Sequence, residues 1–246
     1  MIGSELWSNE TDFEDATAAT GVTGLCGSGL IEAVGEMFLA GIITADGVIR
    51  AELAEASPFV VREGRTASYV VWKGARELRI TQADVRAIQL AKSALYAGCR
   101  LLMDRMGVAR VDRIKFAGGF GNYIDPTYAM VLGLIPDCAL DKVQAVGNAA
   151  GAGARMALVN RAHRREVEDL VRRIEKVETA IEPRFQEHFV NAMGVPNSVE
   201  AFPELARAVV LPAPVIRPVE PTAEGGAGGR RRRRRTRPDA PQPESA

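Results

Sequence analysis

The stretch KFAGGFGNYIDP, residues 115–126, places three glycines within four positions and Asn122 directly behind them. The preceding VDRIKF alternates like a β-strand, and the following DPTYAMVLG predicts a helix with Asp125 as its cap and Pro126 at its first position. Glycine leaves backbone N–H groups open to a ligand, because no Cβ stands in the way. A helix start adds unpaired donors and a partial positive charge, so this turn suits a phosphate or a flat nucleotide base.

Two further turns have the same design, namely TGLCGSG at residues 23–29 and VGNAAGAG at residues 146–153. One such turn is weak evidence, since small residues are also needed where a strand packs tightly against a helix. Three of them in an alternating strand and helix pattern favour nucleotide binding. The sequence has neither the G-x-x-x-x-G-K-[ST] nor the G-x-G-x-x-G fingerprint, which argues against a P-loop or Rossmann site.

The strongest helix pattern is TQADVRAIQLAKSALYAGCRLLMDRMG, residues 81–107. Thr81 and Asp84 form a capping-box pattern, and Gly107 closes the helix. Two adjoining apolar stripes predict that most of this helix is enclosed: Ile88, Ala91, Leu95, Cys99 and Leu102, and beside them Ala87, Leu90, Ala94 and Leu101.

Other segments complete an alternating pattern. Residues 28–41 predict a helix capped by Ser28 and closed by Gly41, and residues 42–80 hold short β-branched runs broken by glycine. RREVEDLVRRIEKVE and PRFQEHFVNAMG predict two further helices. Strands alternating with helices indicate an α/β layer structure.

Composition excludes several classes of protein. The cysteines, Cys26, Cys99 and Cys138, are dispersed, and a structural zinc site or an iron–sulfur cluster needs about four ligands. We therefore expect no metal site and no iron–sulfur cluster within this chain. The sequence has no apolar run of membrane-spanning length and an acidic N-terminus, so we expect a cytoplasmic protein without membrane contact.

The last part of the chain differs in composition. Residues 212–246 hold seven of the 13 prolines and the run EGGAGGRRRRRRTR, which predicts a disordered tail. Arg230–Arg235 suit a weak contact with a polyanion such as RNA, DNA or an anionic membrane. A solubilising tail is the favoured interpretation, since residues 1–216 carry more acidic than basic side chains.

Four segments carry a family resemblance: GLCGSGLIEAVGEMFLAGII, ITQADVRAIQLAKSALYAG, FAGGFGNYIDPTYAMVLGLIPD and VGNAAGAGARMAL. In this order they resemble the C-terminal ATPase region of the reductive activators of corrinoid proteins. That region belongs to the superfamily of acetate and sugar kinases, actin and heat-shock chaperone ATPases. The resemblance runs from about Gly21 to Pro212 and implies a ribonuclease-H-like lobe over 21–211, with a small β-rich insertion at about 42–80 and an entry segment at 1–20.

The resemblance also implies a function. Activators of this family use ATP with Mg²⁺ to drive an electron from a ferredoxin-like iron–sulfur domain onto cob(II)alamin, restoring cob(I)alamin in a corrinoid protein or cobalamin-dependent methyltransferase. In chain order, the first glycine-rich turn is residues 23–29, the second is residues 117–122 and the third is residues 146–153. By resemblance, the nucleotide-facing residues of the second turn are Gly118, Gly119, Gly121 and Asn122. The third turn would contribute Gly147, Asn148 and Gly151, which permit close lobe packing, and the first turn Gly27, Ser28 and Gly29.

One departure from the family pattern concerns the phosphates. Full-length relatives carry an N-terminal ferredoxin-like domain and an Asp-x-Gly-Thr-Asn phosphate loop, and neither is found in this sequence. Asp125 and Asp137 are available carboxylates, although Asp125 is better explained as a helix cap. We therefore expect a fragment or one subunit of a split protein, not competent for turnover alone. The alternatives are a non-catalytic docking module for a corrinoid protein and an inactive fragment.

Three single residues are interpreted structurally. We expect Cys26 to be a small buried residue in a tight turn and not a reactive thiol. His163 lies in a charged surface helix, and His188 in FQEHFV is expected to flank packing aromatics.

Overall fold

The computed structural model describes residues 12–19, 21–74 and 76–213. These residues fall within one compact unit, Met1–Val215. The predicted disordered tail lies outside the described residues from 214 onward, as do Arg230–Arg235 and most of the entry segment. The domain boundaries at 20 and 212 remain predictions.

The described residues form eight α-helices and five strands. In chain order they are α1 (Phe13–Thr17), α2 (Gly27–Leu39), β1 (Val60–Glu63), β2 (Thr66–Lys73), β3 (Glu77–Thr81), α3 (Gln82–Met106), β4 (Ile114–Phe116), α4 (Pro126–Val131), β5 (Val143–Ala145), α5 (Ala149–Val159), α6 (Arg161–Val171), α7 (Phe185–Asn191) and α8 (Pro203–Ala208). Short 3-10 helices occur at Ala51–Glu55, Phe120–Asn122 and Leu140–Lys142. The predicted α/β class is confirmed.

The strands form two small sheets. β1, β2 and β3 pair in order as an antiparallel meander, with Val60 opposite Tyr69 and Tyr69 opposite Ile80. This sheet covers the end of residues 42–80, where the β-branched runs predicted strands, and extends one residue further to Thr81. β4 and β5 pair in parallel, with Ile114 opposite Val143, and α4 lies in the connection between them. The strand, glycine turn and helix order predicted around residues 115–126 is thereby confirmed.

The ends of α3 follow the sequence closely. Thr81 and Asp84 form the predicted capping box, in which the Thr81 hydroxyl accepts a hydrogen bond from the Asp84 N–H and the Asp84 carboxylate accepts one from the Thr81 N–H. Gly107 ends the helix in the left-handed region with φ of 63°. Asp125 and Pro126 begin α4 as predicted, since the Asp125 carboxylate accepts from the Thr127 N–H at 2.7 Å.

The predicted enclosure of α3 is wrong. Leu90, Leu95 and Leu102 are 47%, 51% and 53% exposed, although they belong to the two predicted apolar stripes. The buried face is instead formed by Val85, Gln89, Lys92, Ser93, Tyr96, Ala97, Leu101 and Met103. Polar side chains are buried here because they bind the backbone of a segment far along the chain, which an apolar stripe could not do.

That segment is Met193–Asn197. Lys92 is only 1% exposed. Its Nζ donates to the carbonyl oxygens of Gly194 and Pro196, the latter at 2.8 Å. Gln89 Nε2 donates to the Met193 carbonyl at 2.7 Å. Unpaired buried carbonyls are costly, so these two side chains hold the segment against α3.

Charged groups continue this buried face toward the C-terminal end of α3. The Tyr96 hydroxyl donates to Glu200 at 2.9 Å, and burial is the main cause that raises the pKa of Tyr96. His188 is buried on α7, and its Nε2 lies 2.7 Å from the Asp104 carboxylate. His188 is therefore structural, as expected, but its partner is a carboxylate on α3.

Candidate functional site

The second and third glycine-rich turns are joined by backbone hydrogen bonds. The Gly118 N–H donates to the Gly147 carbonyl at 2.8 Å, and the Val146 N–H donates to the Phe116 carbonyl at 2.8 Å. Parallel pairing of β4 with β5 brings these turns together, because the carboxyl ends of parallel strands lie at the same edge of a sheet. Two segments that are remote in sequence thus form one surface.

The first turn joins them through an aromatic ring. A Cβ built on Gly27, the first residue of α2, would lie 2.8 Å from Cε2 of Phe120. The ring of Phe120 therefore occupies the space that any larger residue at position 27 would need. All three turns are brought together in the structure.

Bare backbone borders open space at three of the predicted positions. A Cβ built on Gly118, Gly119 or Gly147 would meet no atom within 4 Å. Gly118 and Gly147 have φ of 109° and 68°, which only glycine adopts readily. Gly119 has φ of −62°, so its backbone accepts any side chain. The surface at these glycines is accessible to a flat group.

The other two predicted residues of the second turn differ from each other. A Cβ on Gly121 would lie 3.2 Å from the Phe116 side chain, so the absence of a side chain there serves packing. Asn122 is exposed, and its side chain makes no hydrogen bond to any residue in the described part of the chain. Its amide is free to bind a ligand.

The predicted residues of the third turn mainly stabilise α5. The Asn148 side chain caps this helix by accepting a hydrogen bond from the Gly151 N–H at 2.8 Å. A Cβ on Gly151 would lie 2.7 Å from the Asn148 Nδ2. The small residue at 151 therefore makes room for the cap.

The first turn corrects two expectations. Ser28 does not cap α2, because the helix begins at Gly27 and its N-cap is Cys26, whose Sγ accepts from the Gly29 N–H at 3.3 Å. Cys26 is also exposed and not buried as expected. Hydrogen bonds from Ser28 and then from the Gly29 N–H lower the pKa of the Cys26 thiol, because both stabilise the thiolate. Ser28 and Gly29 are thus engaged with Cys26.

Acidic side chains lie where α2 packs against α4. The Tyr128 ring rests on Gly35, and its hydroxyl donates to Glu36. Burial, with a smaller contribution from the charge of Asp125, raises the pKa of Glu32.

The remaining carboxylate considered from the sequence, Asp137, accepts from the Glu204 and Leu205 N–H groups at the start of α8. Asp125 and Asp137 therefore both act as helix caps.

Two kinds of feature are absent from residues 12–19, 21–74 and 76–213. Within these ranges, no group of three or more His, Cys, Asp and Glu side chains is placed to hold a metal ion. Nor does any helix in the same ranges combine the length and apolarity needed to cross a membrane.

Sequence reasoning did not include Phe120 among the site residues. Phe120 is 56% exposed although its ring touches the first turn, and it stands between Gly119 and Gly121. An apolar aromatic residue inside an uncharged glycine run was the available signal.

Comparison with known proteins places this geometry in context. The model of the family described as the C-terminal domain of RACo, the ASKHA domain, matches residues 4–206. The corrinoid activation enzyme RamQ of Eubacterium limosum is 35% identical over 183 residues, which cover 70% of this chain and 31% of RamQ. A solved structure of a reductive activator for corrinoid, iron-sulfur protein matches with a TM-score of 0.63 and 32% identity, over 71% of this chain and 29% of that one. The chain thus spans about three tenths of the length of these relatives.

Proposed function

The chain belongs to the family described as the C-terminal ASKHA domain of RACo, as its four motifs predicted, and on this premise we propose that it is the nucleoside-binding part of an ATP-dependent reductive activator. The activator would return cob(II)alamin to cob(I)alamin, by one electron, in a corrinoid-dependent methyltransferase system. Support comes from the corrinoid activation enzyme and the reductive activator to which the chain is similar.

The observation that carries the proposal is the meeting of the three glycine-rich turns. The Gly118 to Gly147 hydrogen bond and the contact of Phe120 with Gly27 join them, and open space borders the backbone of Gly119. A surface of bare peptide without charge fits an uncharged, flat group better than a phosphate chain. We therefore assign it to the adenosine part of ATP.

Each site residue has a role in this proposal. Gly118 and Gly119 provide the floor for the purine or ribose, Asn122 supplies a free amide, and Gly147 holds the third turn against the second. Five of the remaining residues support the floor by keeping the first turns of α2 and α5 in place: Gly27, Ser28, Gly29, Asn148 and Gly151. Gly121 supports it by packing against Phe116.

The described residues fit the nucleoside part of ATP better than its phosphates with Mg²⁺. Bound ATP would supply the free energy that drives the electron onto the corrinoid. The described residues offer a nucleoside surface but no cluster of carboxylates for Mg²⁺. In the proposal, the phosphates and Mg²⁺ are held by residues other than those described, and a ferredoxin-like domain donates the electron to a corrinoid protein or methyltransferase in the cytoplasm.

ATP binding to the 246-residue chain tests the proposal. We expect a dissociation constant of about 1 mM, equivalent to about 4 kcal/mol, because only the nucleoside half is held. Gly119→Leu should abolish binding, since its backbone conformation and the open space allow the new side chain to occupy the floor without misfolding.

The matched control is Gly98→Leu on α3, where a new Cβ also meets nothing within 4 Å. This variant should bind ATP as the wild type does. Wild-type protein that binds no ATP at 10 mM, or a Gly119→Leu variant that binds as well as Gly98→Leu, would contradict the proposal.

A second candidate function is a docking module that binds the corrinoid partner without turnover. The exposed Leu95 and Leu102 of α3 favour it, because they lie two helical turns apart and large apolar side chains on one helix face are typical of an interaction surface. Leu95→Asp should then prevent binding to a corrinoid protein, whereas Leu170→Asp on α6 should not. ATP binding distinguishes this candidate from the first, since a docking module would bind its partner equally well without the nucleotide.

A further inference from the structure

The ring of Phe120 is held on one edge and exposed elsewhere. Its atoms Cε2, Cζ and Cδ2 lie 2.8, 3.4 and 3.8 Å from the position of a Cβ on Gly27. The residue is nevertheless 56% exposed. An aromatic ring fixed by the start of α2 and open to solvent forms a flat apolar surface that needs no rearrangement to receive a ligand.

The neighbouring residues have the same chemical character. No charged residue occurs between Phe116 and Ile124. A large apolar side chain in or next to each of the three turns is also exposed, with Leu25 at 46%, Tyr123 at 55% and Val146 at 43%. Along the sequence, these side chains stand next to the glycines of the turns, and Tyr123 directly follows Asn122. A ligand that matches this surface has a planar apolar face and polar edges, as a nucleobase does.

We propose that the exposed face of Phe120 stacks on the purine base, which makes Phe120 the residue that selects a nucleoside over a sugar phosphate. The inference rests on the proposed function, because it assigns the base to one side chain of the same surface. Gly27 then has a positioning role, since its missing side chain is what allows the ring to lie where it does.

Saturation-transfer NMR on the full chain tests this assignment, because the method reports which ligand protons touch a protein at millimolar affinity. ATP, adenosine and ribose 5-phosphate are the probes. For the wild type we expect the adenine H2 and H8 protons to receive more saturation than the ribose H1′ proton. Ribose 5-phosphate should bind at least about tenfold more weakly than adenosine, because a stacked base contributes about 1–3 kcal/mol.

Two variants change the ring in different ways. Phe120→Leu keeps an apolar contact with Gly27 but removes the aromatic face, and it should weaken adenosine binding about tenfold and remove the preference for H2 and H8. Gly27→Ala keeps the ring but displaces it, and it should weaken binding as well. Phe120→Tyr and the control Phe59→Leu, at an exposed aromatic residue outside the three turns, should stay within about twofold of the wild type.

The outcomes separate the inference from the function on which it rests. If Gly119→Leu abolishes adenosine binding while Phe120→Leu and Gly27→Ala both leave it unchanged, the stacking assignment is wrong and the nucleoside surface stands. Equal affinity for ribose 5-phosphate and adenosine also overturns the assignment. A wild-type protein that binds neither ATP nor adenosine refutes the proposed function itself.

Discussion

Replacing the buried Lys92 by methionine tests how α3 holds the C-terminal part of the chain. The Lys92 ammonium group donates to the carbonyls of Gly194 and Pro196. Methionine has a similar length and no donor, so both carbonyls lose this partner in a buried position. Each unpaired buried group costs about 1–3 kcal/mol, and removal of a buried charge together with new apolar contact offsets part of the loss. We expect a net loss of about 2 kcal/mol in the free energy of unfolding.

The effect should depend on pH. Burial lowers the pKa of Lys92 to about 7 from its ordinary value of 10.5. Above pH 7 the unfolded chain therefore binds a proton that the folded chain has lost, and the folded state gains stability as the pH rises toward 10.5. Each pH unit adds about 1.4 kcal/mol within this window. The advantage of the wild type over Lys92→Met should thus grow by about 2 kcal/mol between pH 7 and 9.

Chemical unfolding at pH 6, 7, 8 and 9 measures both quantities, with Lys115→Met as the exposed control. In thermal unfolding at neutral pH, the melting temperature of Lys92→Met should be about 4–8 °C below that of the wild type, as expected for a loss of about 2 kcal/mol in a chain of this size. If Lys92→Met were as stable as the control Lys115→Met, the claim that Lys92 holds Met193–Asn197 would be refuted. A stability difference that stays constant from pH 7 to 9 would refute the lowered pKa.

Three further predictions concern other parts of the chain. Gly133→Ala should destabilise the fold by about 3 kcal/mol in chemical unfolding, because Gly133 has φ of 70° and a Cβ there would lie 2.0 Å from the Pro196 carbonyl oxygen; a wild-type unfolding midpoint would contradict this packing. Cys26 should react with iodoacetamide before the other two cysteines at pH 7.5, since its pKa is lowered while burial raises theirs; peptide mapping reports the order, and simultaneous labelling would count against the thiolate at the start of α2. Deletion of residues 217–246 should abolish any affinity for a polynucleotide in a filter-binding assay, because eight arginines are removed, and retained affinity would assign it to the folded part.

The features that the sequence predicted well depend on neighbouring residues. Helix caps at Thr81 and Asp125 and the left-handed end at Gly107 are formed within a few positions along the chain. The alternation of strands, glycine turns and helices is also a local pattern, and it was sufficient to predict the α/β class. Four such motifs in order were sufficient to predict the family.

The features that the sequence could not predict depend on distant residues. Leu90, Leu95 and Leu102 of α3 are exposed, whereas Gln89 and Lys92 are buried because they bind the backbone at 193–196. No periodicity within α3 reveals where those carbonyls will lie. The same is true of the contact between Gly27 and Phe120, which makes Phe120 part of the candidate site although its own surroundings in sequence suggest only a turn.

Backbone amide NMR of the ¹⁵N-labelled chain during an ATP titration tests most directly whether the three turns form one nucleoside-binding surface. The account predicts that the largest shift changes occur together at Gly119, at Gly147 and at the start of α2, and that they saturate with one dissociation constant near 1 mM. Shift changes restricted to other elements, or changes at the three turns that follow different binding curves, would contradict it.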